Sequence, residues 1–583
     1  MILGISSFHD SGIAISDNQG RVLLAVAEER FTRKKSDAIF PRNSLVWAGE
    51  QIDLSAIKTV VVSGFSRKNH ASRAMTQWYF RDKDFVAFDG QRNYRFPFGF
   101  LESEPFDEQE FRVELTKSLE PFGINAPIIF VEHHASHAFS AIVTSGYEEG
   151  VFLTLDGEGD GSSGTIGNFK RESGYVVVNH LRRFPIKNSL GYFYSAVTRR
   201  YNFKPFSHEG KITGLAAYGN LGDSYVYLKK YIKVKNGLPL VRTPGSKFVR
   251  FLKMGIRLSG LFPNSISSMQ DIVDSASLLC REYPELAASA QVVLEDTVLG
   301  ILAHESVSGK KPDLVLAGGV FSNVRLNEKV ASSTCINRCF IYPNMGDGGL
   351  SVGGIYKYLS DTKELHPSEF QHFDPYIGPK IEIEDLKEHK KLVSRHFSSF
   401  ELWVEQIVSN LKAGAVIGLI QGHAEFGPRA LMNRSIIATP SDKSLNQSLN
   451  SRLKRTEFMP FAPVVRVENF SNVFCVDKFK DFTPFMFMTM TCSVRSEWLD
   501  KLAAVVHVDG TARPQVVTFQ SNPVAWEILK IYEERTGIPC LINTSFNVHE
   551  EPIVNSAQHV FEALESNMVD LVATPHLLLF KNN

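Results

Sequence analysis

Two histidines in the run VEHHASHA, His133 and His137, are the sharpest chemical signal in the chain. On a helix a spacing of four puts both imidazoles on one face, where they grip a single cation; the same spacing also arises by chance on solvent faces. His134 points elsewhere. Two acidic glycine turns favour a metal: Asp156 in LDGEGDG and Asp347 in MGDGG each set a carboxylate beside glycines that let backbone and ligand come close. Two imidazoles and two carboxylates make a borderline-hard set with open positions, suited to Fe(II), Mn(II) or Zn(II).

Other runs suit phosphate. AGGVFSN, Ala317 to Asn323, lies between a strand pattern and the helical run RLNEKV, so its glycines bring backbone N–H groups and a helix N-terminus to a nucleotide. HEGKITGLAAYG sets Lys211 among small residues, where an ammonium pairs with a phosphate or, as is commoner for a lone lysine, faces solvent. EFGPRALMNRS holds Arg429 directly after a Gly-Pro turn and Arg434 beyond it; LKRTEFMPFAP adds Lys454 and Arg455, and HVDGTARPQ adds His507 and Arg513. Arginines among glycine, proline and alanine have short neighbours and stiff backbone, which a solvating residue does not need, so this group reads as an anion pocket.

Those residues need elements to hold them. The chain has 583 residues, 43% hydrophobic and 22% charged, enough for two to four folded units. Lys plus Arg and Asp plus Glu balance at 63 each, so no global field draws it to nucleic acid or membrane. Six cysteines without a CxxC pair fit reduced thiols, with Cys335 and Cys339 able to face one way on a helix. The start MILGISSFHDSG lacks a cationic leader, and the most apolar stretch, Ala287 to His304, is broken by Glu295 and Asp296, so a cytoplasmic protein is expected.

ILGISS, IAISD and VLLAVAEE read as a β-meander, and VFLTLDG, TIGNFK and YVVVNHL repeat the idea at 151 to 180. Two acidic hairpins suggest two related lobes, similar in outline to the sugar-kinase, Hsp70 and actin architecture. A helix is expected from Ser268 to Val307, feeding the strand DLVLAGG. The aromatic stretch from Arg67 to Gln109, including Trp78 and Phe100, reads as an inserted acceptor pocket or lid, or equally as a small subdomain. Ser360 to Lys380 is the linker candidate, which divides the chain near 375 into units 1–375 and 376–583, the second α/β.

At these motifs the sequence resembles the NodU/CmcH O-carbamoyltransferase family, to which the tobramycin carbamoyltransferase also belongs. The strings are FHDSGIAI, AEERFTRKK, HHASHA, LDGEGDG, HEGKITGLAAYG, AGGVFSN, GDGG, EFGPRALMNRS, MPFAPVV, HVDGTARPQ and NTSFNVHEEPIV, in the family's order over residues 4 to 554. The resemblance implies an α/β protein with an N-terminal actin-like (ASKHA) domain similar to threonylcarbamoyl transferases and a C-terminal domain similar to YrdC. It implies that ATP, with Mg²⁺, and carbamoyl phosphate yield carbamoyl-adenylate and pyrophosphate, and that the carbamoyl group then passes to a hydroxyl of a small-molecule acceptor.

By motif, the resemblance implies a divalent metal, Fe(II), on His133, His137, Asp156 and Asp347. Nucleotide is expected at Lys211, Gly318, Gly319, Asn323 and Gly346. Carbamoyl phosphate is expected at Arg429, Lys454 or Arg455, His507, Arg513, Asn543, Thr544, Ser545 and Asn547. His9, with Asp10 beside it, matches the position of the acceptor base. No nucleic acid or membrane partner is implied, and a homodimer is compatible with the reading. The chain departs from the family at Ser36, in a KHD motif that bears on acceptor choice, at Met432, where ALGNRS is frequent, and at His549–Glu550, where FNxxGEPIV is frequent. An actin-like kinase, which would release ADP, a tRNA modifier and a non-catalytic binding protein are the rival readings.

Overall fold

The computed structural model describes residues 1–6, 10–64, 108–242, 264–305, 311–370, 373–387, 392–455 and 460–582. His9 and nearly all of the aromatic stretch expected to form a pocket or lid, residues 67–107, lie outside them. The chain falls into two compact units, Met1–Arg21 with Ala38–Gln371 and Val22–Asp37 with His372–Asn583. Both mix α and β.

The first unit is built on two sheets of one plan. β1 (Ile2–Ser6) pairs antiparallel with β2 (Gly12–Ser16), while β3 (Val22–Ala27) belongs to the second unit. β1 then pairs parallel with β4 (Thr59–Ser63), and β4 with β5 (Ile128–Val131). In the other sheet β6 (Glu149–Gly159), β7 (Ser162–Glu172) and β8 (Tyr175–Pro185) form an antiparallel meander, so both meanders expected at 2–27 and 151–180 contain the strands foreseen. β9 (Ile232–Lys235) and β10 (Leu238–Val241) form a separate hairpin. β6 also pairs parallel with β11 (Leu314–Ala317), and β11 with β12 (Cys339–Ile341). TVVVS and LVLA are buried along their length, as parallel strands covered on both faces must be.

Helices cover these sheets: α1 (His133–Thr144), α2 (Leu190–Arg200), α3 (Glu209–Ala216), α4 (Asn264–Ser277), α5 (Glu285–Glu305), α6 (Val324–Ala331) and α7 (Leu350–Thr362). The single helix expected over Ser268 to Val307 is two, α4 and α5, because Pro284 has no N–H to continue a helix and disfavours helical backbone before it. By length and composition α5 is apolar enough to cross a membrane, yet most of it is packed in the interior of the unit. Within the linker expected at Ser360 to Lys380 the division between the units falls at Gln371/His372, and among its described residues α7 runs to Thr362 while Leu365 and Phe370 are buried. Cys339 lies on β12 and Cys335 in the turn before it, so no helix aligns them.

α7 carries two adjacent glycines in its interior, where glycine costs helix stability. A Cβ on Gly353 would run into the carbonyl oxygen of Ser136 on α1, and one on Gly354 into the Ser63 hydroxyl at the end of β4. The residues are small because two helix backbones touch here.

The second unit contains an eight-stranded mixed sheet. Besides β3, the strands of this unit in chain order are β13 (Tyr376–Lys380), β14 (Leu392–His396), β15 (Ile417–Ile420), β16 (His423–Glu425), β17 (Arg434–Ala438), β18 (Ala462–Arg466), β19 (Cys492–Ser493), β20 (Thr511–Ala512), β21 (Gln515–Val517), β22 (Cys540–Ser545), β23 (Leu571–Thr574) and β24 (Leu577–Lys581). The order across the large sheet is β14-β24-β23-β15-β17-β22-β18-β21, while β13 pairs with β16 and β19 with β20. α8 (Phe400–Lys412) and α9 (Pro523–Thr536) pack over it around fully buried Trp403.

Gly353→Ala is expected to cost about 1–3 kcal/mol by overpacking. Gly210→Ala, in α3 with open space about the added carbon, is expected to gain up to about 1 kcal/mol. Urea denaturation of the two variants checks the opposite signs.

Candidate active site

The strand ends converge. β6, β11 and β12 run parallel; Asp156 lies on β6 just beyond its pairing with β11, and the chain leaves β11 through Gly318 and Gly319 and β12 toward Gly346 and Asp347. Loops at this edge of a parallel sheet are where α/β folds place ligands. α1 begins just after β5, its first turn capped by Glu132, whose carboxylate accepts from Ala135 N at 2.6 Å, and by Asp160, which accepts from His133 N at 2.7 Å. His133 and His137 follow on one face of α1, as their spacing requires.

The four side chains meet. His137 Nε2 lies 3.1 Å from His133 Nε2, 3.2 Å from Asp156 Oδ2 and 3.4 Å from Asp347 Oδ1. His133 Nε2 lies 3.7 Å and 3.6 Å from the same carboxylate oxygens. Donors about 2.1 Å from one metal ion stand roughly 3.0 Å apart at octahedral and roughly 3.4 Å at tetrahedral angles, so the observed spacing and the donor chemistry fit a single divalent cation. Burial alone would lower the His133 pKa, but Asp347 and Asp156 outweigh it and push it up to about 9. Burial opposes ionisation of Asp156 too, and the two histidines override it and hold the carboxyl well below its usual range. His134 is buried, with Nε2 on Ser162 O at 3.1 Å and Nδ1 on Thr154 Oγ1 at 3.2 Å, which confirms that it faces away.

Residues that single out no chemistry in the sequence hold this cluster. A Cβ on Gly159 would overlap the His133 ring, so that glycine makes room for imidazole and not for ligand. Ser189 Oγ donates to the carbonyls of Asp156 and Gly157 at 3.1 and 2.7 Å. Gly159 and Asp160 are visible as part of the glycine–acid alternation in LDGEGDG; Ser189 comes from a distant loop with no local signal.

The nucleotide candidates are placed unequally. Gly318 has φ of 103°, and its N–H donates to Met345 O at 2.7 Å, tying AGG to the MGDGG turn. Gly319 N–H donates to Asp156 Oδ2 at 3.2 Å, and a Cβ on Gly346 would point into open space. Asn323 is turned inward: its oxygen caps α6 through Leu326 N at 3.0 Å and its amide donates to Gln291 Oε1 at 2.9 Å. Lys211 is buried in α3 with Nζ 5.4 Å from the Phe203 ring centre. Asp10 adopts φ of 66° after β1.

In the second unit the anion candidates gather around the end of β22. Asn543 Nδ2 donates to Ala430 O at 3.1 Å, beside Arg429, and to Gln515 Oε1 at 2.6 Å, two residues after Arg513. Arg455, not Lys454, reaches this turn: its Nη1 lies 3.5 Å from Thr544 Oγ1, whereas Lys454 is exposed. Ser545 pairs with Ser435 across β17, and Asn547 Nδ2 closes its own turn on Glu551 O at 2.7 Å. His507 Nδ1 stands 3.5 Å from Asp509 Oδ1.

Arg434 is not a ligand arginine. It is fully buried and donates to the carbonyls of Gln421, Asn433, Pro379 and Gly422 at 2.7 to 3.1 Å. Burial lowers its pKa to about 10 against the favourable charge of Glu425. Glu425 Oε1 accepts from the backbone of Leu431, Asn433 and Arg434 at 2.6, 2.8 and 3.2 Å, so acid and guanidinium together lock the loop that presents Arg429.

At the three departures from the family strings the backbone is left-handed: Ser36, Met432 and Glu550 have φ of 54°, 78° and 67°, the region that glycine adopts most readily. The structure groups the Ser36 motif with the second unit, and Ser36 N–H donates to Glu29 Oε2 at 2.8 Å.

The family model for the carbamoyltransferase N-terminus matches residues 1–355, and that for the carbamoyltransferase C-terminus residues 408–581. The chain is 31% identical to nodulation protein NolNO of Sinorhizobium fredii, over 98% of this chain and 79% of the relative. It is 32% identical to nodulation protein NolO of Bradyrhizobium diazoefficiens, over 77% and 78%. Among solved structures, HypF of T. kodakarensis superposes with a TM-score of 0.33 at 12% identity, over 63% of this chain and 48% of that one. Component A of (R)-2-hydroxyglutaryl-CoA dehydratase from Acidaminococcus fermentans gives 0.33 at 10% identity, over 62% and 98%.

Gly159→Ala is expected to push the His133 ring out of the cluster and to weaken divalent-cation binding by at least about tenfold. Equilibrium dialysis under argon against Fe(II) measures it; wild-type loading in the variant would show that His133 is not needed for the ion.

Proposed function

The chain belongs to the carbamoyltransferase family, and from that premise we propose that it is an ATP-dependent O-carbamoyltransferase whose units divide adenylation from transfer. The observation that carries this reading is the pairing of two unlike clusters with the two family halves: a histidine–carboxylate set in the first unit and, in the second, a strand end where Arg455 reaches Thr544 and Asn543 ties down the loops that carry Arg429 and Arg513. The repeated sheet plan of the first unit supports an actin-like domain; for the second, the YrdC-like assignment rests on sequence resemblance.

The chemistry must balance. Water releases carbamate and inorganic phosphate from carbamoyl phosphate. A carbamate oxygen then attacks the α-phosphorus of ATP, pyrophosphate leaves and carbamoyl-adenylate forms. Arg429, Arg455 and Arg513 are assigned to hold the phosphate and carbamate anions, which planar guanidiniums do bidentately. Asn543 fixes the loops of Arg429 and Arg513 to one strand end.

In the second half-reaction the acceptor oxygen attacks the carbamoyl carbon and AMP leaves. His133, His137, Asp156 and Asp347 would hold a divalent cation, Fe(II) in this reading, which would supply positive charge for the carbamoyl oxygen. The open space at Gly346 is assigned to the nucleotide phosphate, since the N–H groups of Gly318 and Gly319 are already taken by Met345 O and Asp156 Oδ2. His9, outside the described residues, is proposed to take the acceptor proton, its neutral imidazole being available near pH 7. The acceptor is proposed to be a small natural product with a free hydroxyl.

Pyrophosphate release with ATP, Mg²⁺ and carbamoyl phosphate, without acceptor, tests the reading. Release that depends on carbamoyl phosphate is expected, and ADP as the product would replace the reading with a kinase. Arg429→Ala is expected to slow pyrophosphate–ATP exchange by about 100-fold, and His133→Ala to leave it within about tenfold while abolishing carbamoyl transfer. Equal loss in both variants, with both folded, contradicts the division of labour.

A further inference from the structure

We infer that the segment AEERFTRKK, through Arg30 and Arg33, is a positioning element of the anion site in the second unit; the inference rests on the assignment of carbamoyl phosphate to that site. The segment lies within Val22–Asp37, which packs as part of the second unit. Nothing in its sequence pattern points there.

Each guanidinium grips one of the two turns that frame the site. Arg30, in the short helix Glu29–Thr32, is buried, and its Nη2 donates to Gly427 O at 3.1 Å across 397 residues of sequence. Gly427 has φ of 149° and opens the Gly-Pro turn that presents Arg429, so the carbonyl that Arg30 holds lies two residues from the ligand arginine. Arg33 straddles the other turn, with Nη1 on Ile553 O at 2.9 Å and Nη2 on Pro552 O at 2.6 Å. Val554 N–H donates to Phe546 O at 2.9 Å, so this stretch is fastened back onto the run Asn543 to Asn547.

The geometry is specific to arginine. A planar fork meets two successive carbonyls, which an ammonium on a flexible stem does not reproduce. Arg33 itself sits at φ of 59°, a left-handed cap that ends the short helix and turns its side chain into the unit. Its hydrogen-bond partners here are carbonyls; Glu551 stands 4.0 Å away and is largely exposed, and Glu29 and Glu562 add favourable charge. These arginines therefore join the two anion-binding turns to one short piece of chain and set the separation between the groups each turn presents.

The test compares Arg30→Lys and Arg33→Lys, which keep charge, with Lys34→Ala, which removes an exposed cation from the same segment, all in the full chain. Binding of carbamoyl phosphate by calorimetry and steady-state pyrophosphate release are both measured. For the two arginine variants the expected result is a Kd and KM for carbamoyl phosphate raised by about 10- to 100-fold with KM for ATP within about twofold. Lys34→Ala is expected to behave as wild type. Folded arginine variants with wild-type Kd and KM overturn the inference, as does a parallel loss for both substrates that tracks a fall in Tm. If the wild-type protein binds carbamoyl phosphate but releases no pyrophosphate, the adenylation reading fails alone and the Kd comparison still decides the inference. A wild-type protein that does not bind carbamoyl phosphate overturns both.

Discussion

Two carboxylates of like charge, Asp156 and Asp347, are brought to the same pair of imidazoles in a nearly dry interior, and the first unit is arranged around that constraint. Taking charged groups out of water costs several kcal/mol each unless an opposite charge compensates. The imidazoles supply that compensation in the metal-free chain, since the carboxylates keep His133 protonated well above the usual histidine range. A cation takes the place of that proton, so the same electrostatic need that orders the cluster also prepares it for metal.

Holding such a cluster requires stiffness, and here stiffness comes from missing side chains. Where α1 meets α7 there is no room for a methyl group, and where β6 passes the His133 ring there is none either. Backbone packed on backbone has few ways to shift. The second unit reaches the same end by another route, with the buried Glu425 carboxylate collecting three backbone N–H groups and the Arg434 guanidinium collecting four carbonyls around one loop.

The two meanders, the helix beneath HHASHA and the α/β class were legible in the sequence because each is written in local period and local turn chemistry. The meeting of His133, His137, Asp156 and Asp347 was legible for the same reason: each sits at a glycine turn or at helical spacing. The roles of Arg434 and Asn323 were not, since an arginine facing carbonyls and one facing phosphate share the same neighbours in sequence. Nor did local pattern place Leu365 and Phe370 in a core, or split α4 from α5 without weight on a single proline. Most of all, the membership of residues 22–37 in the second unit depends on contacts hundreds of residues long, which no local period encodes.

That interleaving has a consequence for how the protein is made. Arg30 and Arg33 leave the ribosome early, but Gly427 and Pro552 are synthesised only near the end. At about 5–20 residues per second, the wait from residue 37 to the resumption of the second unit at residue 372 is roughly 20 seconds to a minute. The second unit therefore cannot be finished by the C-terminal stretch folding on its own as it emerges. Its last step is the capture of a segment that has been present since the start of translation, and cutting the gene at residue 372 would separate a fold, not two folds.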